Sequence, residues 1–423
     1  MFRSLATIET QPGRARWAEL ALGVGGFGIG TGEFAIMGLL PNVAGNLGIS
    51  VLSAGHVISA YALGVVIGAP LIAVIAAHWP RRQLLLVLMA CFAAGNFASA
   101  LASSYGSLII VRFIAGLPHG AYFGVASLVA ASLVPANERA RAVGRMMLGL
   151  TGATLAGVPL ATWLGQTLGW RAAFVLVGAI GALACALIFS CVPRDGPVKG
   201  ASPARELSAL GRKQVWLTLA VGSVGFGGLF CVLSYITPTL TQVAGLPERF
   251  VPFVLAAFGV GMILGNLLGS WLADRALMRT IGGLLTWNAV ALSLFSLTAH
   301  HAWMATIAVL LVGTGVAIAP ALQVRLMDVA GDAQTLAAAL NHSAFNIANA
   351  MGAWLGGVAV AAGLGWASTG WVGAVLAVGG LLIFAVSVVE EGRNARSRAL
   401  AESIVQPVTR PLRSTALRRR AAN

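Results

Sequence analysis

Long apolar stretches alternate with short polar intervals from about residue 17 to residue 389. A helix rises about 1.5 Å per residue, so roughly 20 mostly apolar residues cross the hydrocarbon core of a bilayer. On that criterion the chain has twelve expected spans, at about 17–40, 53–77, 84–102, 107–132, 145–168, 172–191, 214–240, 250–272, 280–298, 303–326, 338–362 and 368–389. The connections are short and no soluble block of any size remains. The predicted class is an all-α membrane protein.

Composition agrees. Of 423 residues, 58% are hydrophobic and 9% charged, against roughly 25% charged in an ordinary soluble domain. Residues 1–16 are polar, and the first span is too long for a signal peptide, so it is expected to be retained. Cys91, Cys185, Cys191 and Cys231 fall within spans, without metal-ligand spacing or a disulfide framework. No metal site and no cofactor are expected. The longest polar interval before the tail, 192–213, divides the spans six and six. The expected organisation is an N-terminus (1–16), a six-helix bundle (17–191), a linker (192–213), a second six-helix bundle (214–389) and a basic tail (390–423).

The formal charge of +14 changes meaning once it is distributed. Except for Arg112 within a span and Arg171 and Arg249 on the opposite side, every Lys and Arg falls in the termini, the linker or the even-to-odd connections. Positive charge collects on the cytoplasmic face, so both termini are expected there. The cluster Arg418, Arg419, Arg420 is read as meeting anionic lipid headgroups or solvent, and no nucleic-acid partner is expected.

The two halves share a register. A shift of 197 residues aligns "AYALGVVIGA" (60–69) with "AFGVGMILGN" (257–266), pairing Tyr61 with Phe258, Gly64 with Gly261, Gly68 with Gly265 and Pro41 with Pro238. A shift of 196 pairs Gly169 and Trp170 with Gly365 and Trp366. Duplicated six-helix halves are a transporter pattern, with the substrate site between halves that rock around it.

Where the repeat breaks, function is sought. Glu33 pairs with Phe230, Arg112 with Val309 and His119 with Val316, so the scaffold tolerates apolar residues there. Glu33 shares a helical stripe with Gly23, Gly26, Gly30 and Met37, a face suited to close helix contact within the bundle. Arg112, Gly116 and His119 share one face of the fourth span. Taking Pro41 as the outer end of the first span puts Glu33 roughly 12 Å in, comparable with Arg112. Two readings stay open for this pair: a switch in which Glu33 separates from Arg112 on taking a proton, or a permanent structural ion pair. His119 is either a titrating group or a hydrogen-bonded packing residue. In "NHSAFN" (341–346), Asn341, His342 and Asn346 either contact substrate or bond between helices; Phe34 and Tyr122 are the aromatic candidates for the same cavity.

These residues resemble the twelve-span drug and sugar efflux branch of the major facilitator superfamily, near its arabinose-efflux-like and chloramphenicol-exporter-like permeases. The resemblance covers about residues 17–389. "GTGEFAIMGLLPNVAGNLGIS" (30–50) is similar to that branch's first-span signature. "RFIAGLPHGAYFGVA" (112–126) is similar to its fourth-span motif, whose arginine the resemblance implicates in proton transfer. "GLTGATLAGVPLATWLGQ" (149–166) resembles the antiporter motif, with Gly149, Gly152 and Gly157 for close packing and Pro159 for a bend; mere small-residue packing is the other reading. "SWLADR" (270–275) resembles the loop motif with Ser270 in place of glycine, which makes Asp274 and Arg275 candidates for a cytoplasmic gate with Arg81 and Arg82. A carboxylate such as Asp274 can accept hydrogen bonds from the N-terminus of a neighbouring helix and balance the arginines. In the first half, "VIAAHWPRR" (74–82) has Ala77 where the aspartate belongs, so no acidic latch is expected there.

The resemblance implies the major facilitator fold, two pseudo-symmetric six-helix bundles, in a bacterial cytoplasmic (inner) membrane. It implies secondary active export of a small organic solute of drug, sugar or nucleoside class by proton antiport, through a monomer whose partners are solute, protons and lipid. Proton-coupled uptake uses the same machine in reverse, and a non-transporting membrane sensor is the reading from another class. No nucleotide-binding loop and no assembled nucleophile and base are present, so neither a pump driven by ATP nor an enzyme is expected.

Overall fold

The computed structural model describes residues 12–49, 51–196 and 202–405. The start of the expected N-terminus up to residue 11, Lys199 in the linker, and Arg410, Arg413 and Arg418 to Arg420 in the tail lie outside the described residues. The chain divides into two units, Met1–Phe384 and Ala385–Asn423. Among described residues the second consists of the end of the last helix.

The described residues form helices and no strand. In chain order they are α1 (Pro12–Phe34), α2 (Leu40–Leu47), α3 (Val51–Ile75), α4 (Arg81–Leu101), α5 (Tyr105–Ser132), α6 (Arg139–Gly152), α7 (Val158–Leu168), α8 (Trp170–Cys191) and α9 (Pro203–Leu207). There follow α10 (Lys213–Gly225), α11 (Gly227–Ser234), α12 (Ile236–Pro238), α13 (Val251–Thr298), α14 (Ala302–Gly313), α15 (Ile318–Val329), α16 (Gln334–Ala359) and α17 (Ser368–Val405).

Eleven continuous helical stretches are long and apolar enough to cross a membrane. One of them, α13, has 48 residues, or about 72 Å of helix, more than twice a bilayer core. Its backbone breaks at Ala276 (φ −156°, ψ 73°), inside the connection expected between the eighth and ninth spans. It therefore supplies two spans, for twelve among the described residues. The first span needs correction: Pro41 does not end it. The chain tightens over Ala35–Leu39 and resumes as α2, with Pro41 in the first turn, where a missing N–H costs nothing. Glu33 is accordingly deeper than a count from Pro41 gives.

Small residues set the packing, as expected where lipid supplies no hydrophobic drive between helices. A Cβ on Gly64 or Gly68 of α3 would strike the carbonyl oxygens of Phe113 and Leu117 of α5, and one on Gly116 would strike that of Tyr61. The same contacts recur 197 residues on: Gly261 and Gly265 face the carbonyls of Leu310 and Thr314, and Gly313 faces that of Phe258. The glycine stripe of α1 meets the fifth span, where Gly149 leaves no room for a Cβ against the Gly23 carbonyl, and Gly157 none against Thr31. A π-helical turn at Ala153–Gly157 precedes Pro159, which sits in the first turn of α7.

First-half and second-half helices also pack directly against each other, α3 and α5 on α16, and α6 on α13 and α15. Gly124 lies against the Ala339 backbone and Gly144 against Ser270. Asn266 donates from Nδ2 to the Gly144 carbonyl at 2.6 Å.

Candidate functional site

Arg112 is fully buried in α5. Its Nη2 donates to the Gly32 carbonyl at 3.1 Å, and its guanidinium lies 4.2 Å from the centre of the Tyr61 ring and 5.2 Å from that of Phe174. Its Nε and Nη1 have no hydrogen-bond partner among the described residues. Glu33, the next residue after that carbonyl, is half-buried. Among the described residues no ion pair joins Glu33 to Arg112. The direct pairing that the sequence left open is therefore not made in this conformation: the cation is held by aromatic faces and a backbone carbonyl, and the carboxylate is a neighbour to it.

Tyr61 extends the arrangement. Its ring carries Arg112 on one face, and its hydroxyl lies 3.2 Å from Nδ1 of His119. The His119 ring centre is 5.6 Å from that of His342 on α16 and 5.4 Å from that of Phe123. Phe123 and His342 stack at 4.2 Å with 18° between planes. A line of polar and aromatic groups thus runs from Glu33 and Arg112 through Tyr61 and His119 to His342, from the first half into the second. Sequence reasoning used Tyr61 only to align the repeat. Its partner Phe258 lacks the hydroxyl, so the rule that singled out Arg112 and His119 had the signal to find it.

The expected cavity residues separate. Tyr122 does not line a cavity: it is fully buried, and its hydroxyl donates to the Leu22 carbonyl at 2.7 Å. Gly25 opposite supplies the room for that ring. Asn341 donates from Nδ2 to Oε1 of Gln323 at 2.5 Å, and Gln323 donates to the Ala338 carbonyl at 3.1 Å. Asn341 therefore bonds between helices, with a buried partner, Gln323, that the sequence did not single out. Asn346 is half-buried and donates to the His342 carbonyl at 2.9 Å. Phe34 is half-buried at the end of α1. Nε2 of His342, Oδ1 of Asn341 and Oγ of Ser343 are buried without hydrogen-bond partners among the described residues, leaving polar valence in this region.

At the arginine-rich end, Asp274 caps another helix. Its carboxylate accepts from the backbone N–H groups of Ala140 (2.7 Å) and Arg141 (3.1 Å), in the first turn of α6, and from Nε of Arg141 (2.8 Å). A carboxylate there satisfies donors that a helix leaves open and faces the positive end of its dipole. Arg141, rather than Arg275, is its cationic partner; Arg275 lies over the Trp271 ring. Asn137, Arg141, Trp271, Asp274 and Arg275 line a cleft of about 250 Å³.

Arg81 and Arg82 need a similar correction, because their hydrogen bonds go to Asp195 of the linker and to the first half, not to Asp274. Their N–H groups, in the first turn of α4, donate to Asp195 at 2.6 and 3.1 Å, and the Arg82 guanidinium bonds the Phe189 carbonyl. Two further acidic residues were not singled out from sequence. Glu19 takes a two-pronged bond from Arg145 at 2.5 and 2.8 Å. Glu206 of α9, 3% exposed, accepts from the N–H of Leu336 at 2.8 Å. Burial pushes the Glu206 carboxyl above the usual carboxylate range, opposed by hydrogen bonds from Leu336 and Thr335 and by Arg81.

Twelve apolar helices in a duplicated register, with polar side chains gathered where the halves meet, define a membrane transporter of small molecules. The chain belongs to the major facilitator superfamily, whose sequence profile it matches over residues 22–335 and 249–422. It is 41% identical over 369 residues to the inner membrane transport protein YdhP of Escherichia coli (strain K12), covering 87% of this chain and 95% of that one. It is 33% identical to a chloramphenicol resistance protein of Streptomyces lividans, over 85% of this chain and 92% of that one. The fold is shared with the proton:xylose symporter XylE, at a TM-score of 0.69 and 16% identity, over 88% of this chain and 95% of that one.

Proposed function

We propose that the protein exports a small organic solute across the inner membrane in exchange for protons moving inward, by alternating access of two six-helix halves with both termini cytoplasmic. The observation that carries this reading is the line Glu33, Arg112, Tyr61, His119 and His342. It crosses between halves, and the repeat replaces its first four members by Phe230, Val309, Phe258 and Val316. Ionisable groups inside a membrane are costly, and proton relays are a standard reason for keeping them.

In this scheme Glu33 is the proton carrier and Arg112 biases its charge. Phe34, His342 and Asn346 are the solute-facing candidates, and Gly149 and Gly157 hold the fifth span against the first. In this reading the contacts between halves at the arginine-rich end, Gly124 on Ala339, Gly144 on Ser270 and Asp274 on the first turn of α6, form the cytoplasmic gate. Export is favoured by the antiporter-like stretch 149–166 and by the resistance function in the name of one relative.

Inside-out membrane vesicles with an acidified lumen test the direction. A panel of labelled drugs, sugars and nucleosides is expected to include a solute that accumulates in the lumen and leaks out when an ionophore collapses the gradient. Accumulation confined to right-side-out vesicles would make the protein an uptake permease, and no accumulation in either would leave the sensor reading.

A further inference from the structure

Carboxylates of different origin meet the N-termini of two helices at the arginine-rich end. Asp274, the gate candidate of the second half, bonds the second and third residues of α6, Ala140 and Arg141. The 197-residue register places Ala77 at the matching first-half position, and the helix it would be expected to cap is α16. Ala77 has no acceptor side chain. The second and third residues of α16 are Thr335 and Leu336, and the carboxylate they bond is Glu206, from the linker between the halves.

We propose that Glu206 is the missing first-half latch: the linker helix α9 supplies in space the carboxylate that position 77 lacks in sequence, and holds α16 to the first half at the arginine-rich end.

Several contacts position it for that role. Ser202 caps α9, its Oγ accepting from the Arg205 N–H at 3.2 Å. Arg205 pairs with Asp332, just before α16, at 2.7 Å. α9 packs on both α3 and α16, and Ala69 and Ala73 of α3 share a buried cluster with Leu336 and Ala339 of α16. Releasing Glu206 frees the first turn of α16 from the linker, so the linker takes part in the gate instead of merely joining two bundles. This rests on the alternating-access reading, and the test below reads the gate without needing a solute.

The four native cysteines are replaced by alanine, and Ala73, 1% exposed in the gate cluster, is replaced by cysteine. Its rate of alkylation by a maleimide is then followed in nanodiscs. Loss of a helix-terminal acceptor costs about 1 kcal/mol, so Glu206→Ala is expected to raise the rate roughly fivefold. Glu206→Gln keeps an acceptor oxygen and is expected to raise it about twofold, which carries the test if the alanine variant does not fold. Ala77→Asp added to Glu206→Ala is expected to bring the rate back toward the parent's, a rescue from 129 residues away that a general packing defect does not give. Rates in both Glu206 variants equal to the parent's overturn the latch, as does a rise that Ala77→Asp leaves untouched. Asp274→Asn separates the two readings: if it alone raises the rate, alternating access stands and the linker latch falls.

Discussion

Replacing Gly149 by valine is expected to cost about 3 kcal/mol or more, since a side chain would be forced into a packed backbone contact. Even a single Cβ at Gly149 would collide with the Gly23 carbonyl and come within 2.9 Å of the Phe27 nitrogen. Neither neighbour is a side chain that can swing away; both belong to α1, the helix that presents Glu33. Gly152, one turn on in the same motif, is the internal control, because its Cβ would find only Phe27 Cδ2, at an ordinary 3.8 Å. Thermal unfolding in detergent should show Gly149→Val far below the wild type and Gly152→Ala close to it. Equal midpoints for both would mean that the fifth and first spans are not packed as described.

Arg112→Met should separate stability from transport. A buried guanidinium with one hydrogen bond and two ring contacts is poorly compensated for its lost hydration. An apolar side chain of similar length is therefore expected to leave stability unchanged or raise it by about 1 kcal/mol. Gradient-driven transport is expected to fall by about 100-fold or more, the scale of losing a group that assists proton transfer. Thermal midpoint and driven accumulation, measured on the same preparation, check the two halves of this expectation. A variant that unfolds readily, or one that transports like the wild type, would make Arg112 a structural residue.

The membrane-spanning architecture was legible because lipid imposes it: hydropathy and length mark each span, and only the break at Ala276 separates two that run on as one helix. The repeat was legible for a related reason. Glycines at 64, 68 and 116 and at 261, 265 and 313 answer the same backbone contacts in each half, so sterics preserve their register.

Partners across the bundle were not legible. A helical stripe tells which face Glu33 shares, but not that Arg112 would reach the Gly32 carbonyl beside it. Periodicity likewise gave Tyr122 an aromatic face without showing that Gly25 makes room for its ring and that the Leu22 carbonyl receives its hydroxyl. Asp195, Glu19 and Glu206 sat in or beside polar intervals where charge is unremarkable. Only the three-dimensional path brings each to a helix terminus or a distant arginine. The absent aspartate at position 77 was visible in the sequence, whereas its replacement at Glu206 was not.

The proposed function rests most heavily on Glu33 as the carrier of the proton that drives export. Its direct test is solute accumulation in proteoliposomes under an imposed pH gradient, with wild type and Glu33→Gln side by side and exchange of labelled for unlabelled solute as the control. The wild type is expected to concentrate solute only with a gradient of the correct sense. Glu33→Gln should still exchange solute, yet neither concentrate it nor respond to pH. A Glu33→Gln protein that accumulates solute against a gradient with the wild-type pH dependence would contradict it.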